Sequence, residues 1–61
     1  MIKMAVFTIK MADAEGTMAE VGTRKSERGA KALASKISES NVDSRVIVVD
    51  VEGNALWDSS P

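Results

Sequence analysis

A chain of 61 residues with neither cysteine nor histidine has to be held together without disulfides, chiefly by apolar packing and hydrogen bonds. No disulfide or thiolate metal site can staple it, and the commonest zinc ligand at neutral pH is missing. A domain of this size buries only roughly 60% of the surface its unfolded chain exposes, so its margin of stability is thin. Such domains commonly lean on oligomerisation. The chain is read as one domain, 1–61, with 58–61 as a tail. At 44% hydrophobic and 28% charged residues it is globular in composition rather than disordered.

The same absences narrow the chemistry. Without histidine the serines (Ser26, Ser35, Ser38, Ser40, Ser44, Ser59 and Ser60) have no ordinary base to activate them. They gather at predicted helix ends and in the tail, where capping and solvated turns account for them. Gly16, Gly22, Gly29 and Gly53 match neither phosphate-loop spacing. Asp50, Glu52 and Asp58 fall short of the oxygen set of a calcium loop, and turn chemistry explains them better. The expectation is a chain with no enzymatic activity, no cofactor and no metal. Tyrosine is absent and Phe7 and Trp57 are the only aromatic residues, too few for a platform on which nucleobases stack. No apolar run approaches the roughly 20 residues that span a bilayer. Lys3 and Lys10 interrupt the apolar start, and no cleavage site of a signal peptide follows. A cytoplasmic location without membrane contact is the expectation.

Along the chain, Ile2 to Met11 has the β-branched and aromatic content of a strand, with Ala5, Phe7, Ile9 and Met11 on one face and Ile2, Met4 and Val6 on the other. Asp13, Glu15 and Gly16 form a turn cluster, and Thr17 to Val21 returns as a weaker strand broken at Gly22 and Thr23. A rival reading makes Met11 to Val21 helical, since Met11, Ala14, Met18 and Val21 recur at three- and four-residue steps. Gly16 stands against it, because glycine costs about 1 kcal/mol inside a helix. A helix follows. Thr23 or Ser26 supplies the N-cap, Ala30, Leu33, Ala34 and Ile37 share one face, and Glu27 and Lys31 are suitably spaced to pair. It ends among Ser38, Ser40, Asn41 and Asp43. Arg45 to Val51 is the clearest strand, Glu52-Gly53-Asn54 a tight turn, and Ala55 to Trp57 a short returning strand. The fold class is α+β in the order ββαββ, an antiparallel sheet with one helix packed on one face.

The segments S-E-R-G-A-K-A-L-A (Ser26 to Ala34) and V-I-V-V-D-V-E-G-N-A-L-W (Val46 to Trp57) resemble small bacterial and phage ββαββ domains of unknown function. The layout is similar to that of some small phage-encoded inhibitors, including anti-CRISPR proteins and inhibitors of host RNA polymerase. The resemblance covers about half the chain and implies a binding role, with no catalytic residues to carry over.

Two features bear on partners. Five of the eight basic residues, Arg24, Lys25, Arg28, Lys31 and Lys36, fall within one thirteen-residue stretch. Taken as one helix, all five point away from the Ala30 face. From Arg24 to Glu39 five basic and two acidic residues give +3, and three basic and seven acidic residues give −4 elsewhere. Clustered like charges near a helix N-terminus do not help folding. Chance clustering on a solvated face is one reading. The other is a partner site for an acidic protein surface, with nucleic acid as the alternative partner. A net charge of −1 disfavours that alternative. The second feature is the sheet. Val46 and Val48 oppose Ile47, Val49 and Val51, while Ile2, Met4 and Val6 oppose Phe7 and Ile9, so both faces are expected to be apolar. A wet face would alternate with polar residues, so a partner is expected to cover it, most simply a second copy of the chain, giving a homodimer, or else a target protein bound through this apolar sheet face.

Overall fold

The computed structural model describes residues 5–59. Its elements run in the order β1 (Phe7–Ala12), β2 (Met18–Arg24), α1 (Glu27–Ser40), β3 (Val46–Val49) and β4 (Ala55–Asp58). The sheet order is β2-β1-β3-β4, antiparallel throughout. The chain is thus a small α+β fold with the helix packed on the sheet, and the helical alternative for 11–21 is excluded. From edge strand β2 the helix crosses over β1 to reach β3, packing on β3, β1 and β2.

The core is a single seam. Ile9, Val46 and Val48 from the two central strands and Ala30 and Ala34 from the helix are completely buried. Phe7, Met11, Leu33, Ile37 and Trp57 pack around them. Small Ala30 and Ala34 bring the helix axis close to the sheet, and the same geometry operates at Gly22. A Cβ there would sit 2.9 Å from Leu33 Cδ2. Gly22 therefore does not break β2; it lies within the strand, opposite Ile9, where Leu33 needs the room.

Helix α1 begins where its cap dictates. Ser26 is extended (φ −130°, ψ 148°), and its Oγ accepts the Gly29 N–H at 3.0 Å. Glu27 in the first turn suits the positive end of the helix dipole. At the other end the Asn41 backbone N–H donates to Ser38 O at 3.2 Å, and Asn41 Nδ2 donates to Ile37 O at 2.9 Å.

Both hairpins close with the same turn, built from D-A-E-G-T (Asp13–Thr17) and D-V-E-G-N (Asp50–Asn54). In each, the glycine N–H donates to the aspartate carbonyl at 3.0 Å, and the aspartate N–H donates to the carbonyl of the fifth residue, at 2.9 Å and 3.0 Å. Asp13 Oδ1 accepts from the N–H groups of Glu15 and Thr17, as Asp50 Oδ1 does from those of Glu52 and Asn54. Gly16 and Gly53 sit at φ 87° and 86°, a conformation that suits glycine.

Several sequence expectations are corrected. β1 starts at Phe7, Val6 precedes it, and Ile2 and Met4 lie outside the described residues. β3 ends at Val49, because Asp50 and Val51 belong to the turn. Asp58 is part of β4 rather than of a tail, and Ser59 is tied to Val46 by two hydrogen bonds of 2.9 Å. The face opposite the helix is mixed rather than apolar. Register puts Thr8 beside Thr23 and Val49, and Lys10 between Glu20 and Ile47, with Asp58 beyond. On β1 the alternation is that of a wet face.

Candidate functional site

The five clustered cations do not form one helical face. Ser26, not Thr23, is the cap. Arg24 is therefore the last residue of β2, Lys25 lies in the bend, and only Arg28, Lys31 and Lys36 are helical. Of the like charges clustered near the helix start, only Arg28 and Lys31 lie on the helix itself, three residues apart.

The structure separates the set further. Lys31 turns to Glu27, with Nζ 2.7 Å from Oε2, the i,i+4 pair read from the sequence. Arg28 and Lys25 are exposed. Arg24 and Lys36 are brought together at the flank of the helix above β2. With Gly29, Ala32 and Leu33 they line a shallow groove of about 230 Å³. Its floor is aliphatic, and a cation stands on either side.

Two glycines help to make this groove. Gly22 lets Leu33 settle onto β2. Gly29 leaves space beside the helix start, since a Cβ there would lie 2.9 Å from Ser26 Oγ and 3.8 Å from both Cβ and Cγ of Arg24. Arg24 is steadied by the residue before it, Nη1 donating to Thr23 O at 2.6 Å. Sequence patterning marks the charges and misses Gly29, Ala32 and Leu33. Their only signal is a run of small residues on the helix flank next to Leu33, which composition alone does not distinguish from ordinary helix surface.

At the β3–β4 turn the charge has the opposite sign. Val51 is 53% exposed between Asp50 and Glu52, and these three residues line a cavity of about 300 Å³ with Ala5, Val6 and Phe7. The Asp50 carboxyl is held below its ordinary carboxylate value, chiefly by the Asn54 backbone N–H and also by the Asn54 side chain and the Glu52 and Gly53 backbone. On the open sheet face Arg45 forks onto Asp58, Nε lying 3.2 Å and 3.1 Å from the two oxygens and Nη2 closing the second bond. That hydrogen bond, with the charge of Asp58, raises the already high Arg45 value.

Among the described residues no group of three or more acidic side chains is placed to hold a metal ion, and no helix is long and apolar enough to cross a membrane. No family model, curated protein or solved structure matches the chain.

Proposed function

We propose that the protein is a non-enzymatic interaction domain that binds an acidic protein surface through the basic region Arg24, Lys25, Arg28 and Lys36, with the Arg24–Lys36 groove at its centre. The observation that carries this reading is the groove itself, an aliphatic floor between two cations. Of the cations in that stretch, Lys31 alone forms an ion pair among the described residues, so Arg24, Lys25, Arg28 and Lys36 keep their charge available. An aliphatic floor favours a protein partner over nucleic acid. Single-stranded nucleic acid is held largely by bases stacking on aromatic faces, and both aromatic side chains, Phe7 and Trp57, pack on the core instead. The similarity of layout to small phage-encoded inhibitors is in keeping with a binding role.

The test is capture of partners from a cell lysate with and without nuclease, using the wild-type chain and an Arg24→Glu/Lys36→Glu variant. Nuclease-resistant capture that the reversal abolishes supports the reading. Capture that nuclease removes would transfer it to nucleic acid. Capture that survives the reversal would move the site away from this groove.

A further inference from the structure

We infer that the acidic partner is a second copy of this chain, its β3–β4 turn seated in the Arg24–Lys36 groove, two such contacts closing a symmetric dimer. This rests on the reading of the groove as an acid-binding site and names its occupant. The two surfaces are complementary in kind and in order. The groove presents a cation, an aliphatic floor and a cation, from Arg24 over Leu33 and Ala32 to Lys36. The turn presents an exposed Val51 and an exposed Glu52, beside a half-buried Asp50 whose carboxylate is bonded within the turn. Seating Val51 on Leu33 and Ala32 would remove an exposed branched aliphatic side chain from water while Glu52 meets Lys36, and the carboxylate of Asp50, bonded within its own turn, adds its charge on the Arg24 side. The first hairpin carries the same turn with Ala14 in place of Val51, and so offers far less apolar surface.

Position in the fold lets the contact close on itself. Phe7 pairs with Arg24 on one side of β1, and Thr8 pairs with Val49 on the other. The Arg24 mouth of the groove and the turn therefore lie at the same end of the sheet, with β1 between them, and the groove runs from there along the helix to Lys36. Two copies related by a two-fold axis at that end exchange turns, each filling the other's groove. A contact of this isologous kind closes at two subunits, whereas a head-to-tail contact that does not close grows into fibres. Charge favours the arrangement as well. With a net charge of only −1, split into +3 over Arg24–Glu39 and −4 elsewhere, two copies repel little overall while their unlike regions attract.

Charge exchange tests the proposal without needing any other partner. Sedimentation at low salt should show the wild-type chain passing from 6.5 kDa to twice that mass as concentration rises from micromolar to millimolar. Lys36→Glu and Glu52→Lys should each weaken the dimer at least tenfold, since each puts like charges into both contacts. An equimolar mixture of the two variants should regain it, and so should the double variant. Val51→Ser should weaken it with no change of charge. Circular dichroism of each variant establishes that it is folded. A wild-type chain that stays monomeric throughout overturns the proposal. So does a dimer indifferent to both reversals, or one that the mixture fails to restore. The nuclease-resistant capture described above could still succeed in any of these cases, which would leave the groove as a site for a different protein.

Discussion

At the scale of the residue, stability is concentrated in a few side chains. For a domain of this length the whole margin is roughly 3–9 kcal/mol. Ile9→Ala empties the centre of the seam at a cost of about 2–5 kcal/mol, enough to unfold much of the population, whereas Ile9→Val should cost about 0.5–1.5 kcal/mol and leave a cooperative transition. Urea unfolding of both separates the two. Gly22 is a sharper probe, because its hydrogen faces the end of one flexible side chain. Alanine asks Leu33 Cδ2 to move aside and also stiffens the unfolded chain, so Gly22→Ala should lie within about 1 kcal/mol of wild type. Gly22→Val, with two further carbons directed at the helix, should cost about 1–3 kcal/mol. If valine were as well tolerated as alanine, the helix would not be as close to β2 as the Leu33 contact makes it. Gly16 and Gly53 differ in kind. Space around them is open, and positive φ rather than crowding makes substitution costly there.

At the scale of the element, the two hairpin turns are one device used twice, each an aspartate gathering two backbone N–H groups ahead of a left-handed glycine. Asp50 gives this device a pH dependence. Its folded carboxyl ionises below the ordinary value, so its stabilising contribution is fully present above the unfolded value of about 3.9 and is lost as pH falls through the lower folded value. Asp50→Asn keeps an oxygen for the two N–H groups and has no proton to gain. The stability difference between wild type and this variant should be largest near neutrality and shrink toward pH 2 in acid titrations followed by circular dichroism. A difference that stays constant with pH would mean that the hydrogen bonds do not prefer the ionised form. The elements themselves were mostly legible in the sequence. The helix announced itself through the spacing of Ala30, Leu33, Ala34 and Ile37 and through Ser26, and β3 through its run of valine and isoleucine. What was not legible depended on contacts that hydrophobic patterning does not report, one between two elements and one within a turn. Gly22 looks like a breaker until Leu33 is seen above it, and Asp50 looks like strand until Asn54 is seen bonded to it.

At the scale of the whole molecule, the question is where the charge lies relative to the fold. The basic stretch is plain in the sequence but its placement is not, because the choice between Thr23 and Ser26 as cap decides whether Arg24 and Lys25 are helix or not. With Ser26 as the cap, Arg24 ends a strand and meets Lys36 across a groove, a pairing that no periodicity encodes. The expected dimer through an apolar sheet face lost its motive on β1, where Thr8 and Lys10 face solvent's side of the sheet, and the end of the sheet became the better surface. This leads to a measurable separation of folding from association. Both ion pairs among the described residues are largely solvent-exposed, Lys31–Glu27 at 39% and 51% and Arg45–Asp58 at 57% and 32%. Pairs of this kind add about 0–1 kcal/mol each and are screened by salt. Salt should therefore change the thermal midpoint of the Lys36→Glu monomer by only a few degrees. The wild-type midpoint should rise with protein concentration, because assembly stabilises the folded state by mass action. Added salt should bring it down toward that of the variant as the turn–groove contacts are screened. Thermal scans over a matrix of salt and protein concentration measure both effects. Midpoints of wild type and variant that move in parallel across the matrix would show that the groove charges act on folding alone and join no second copy.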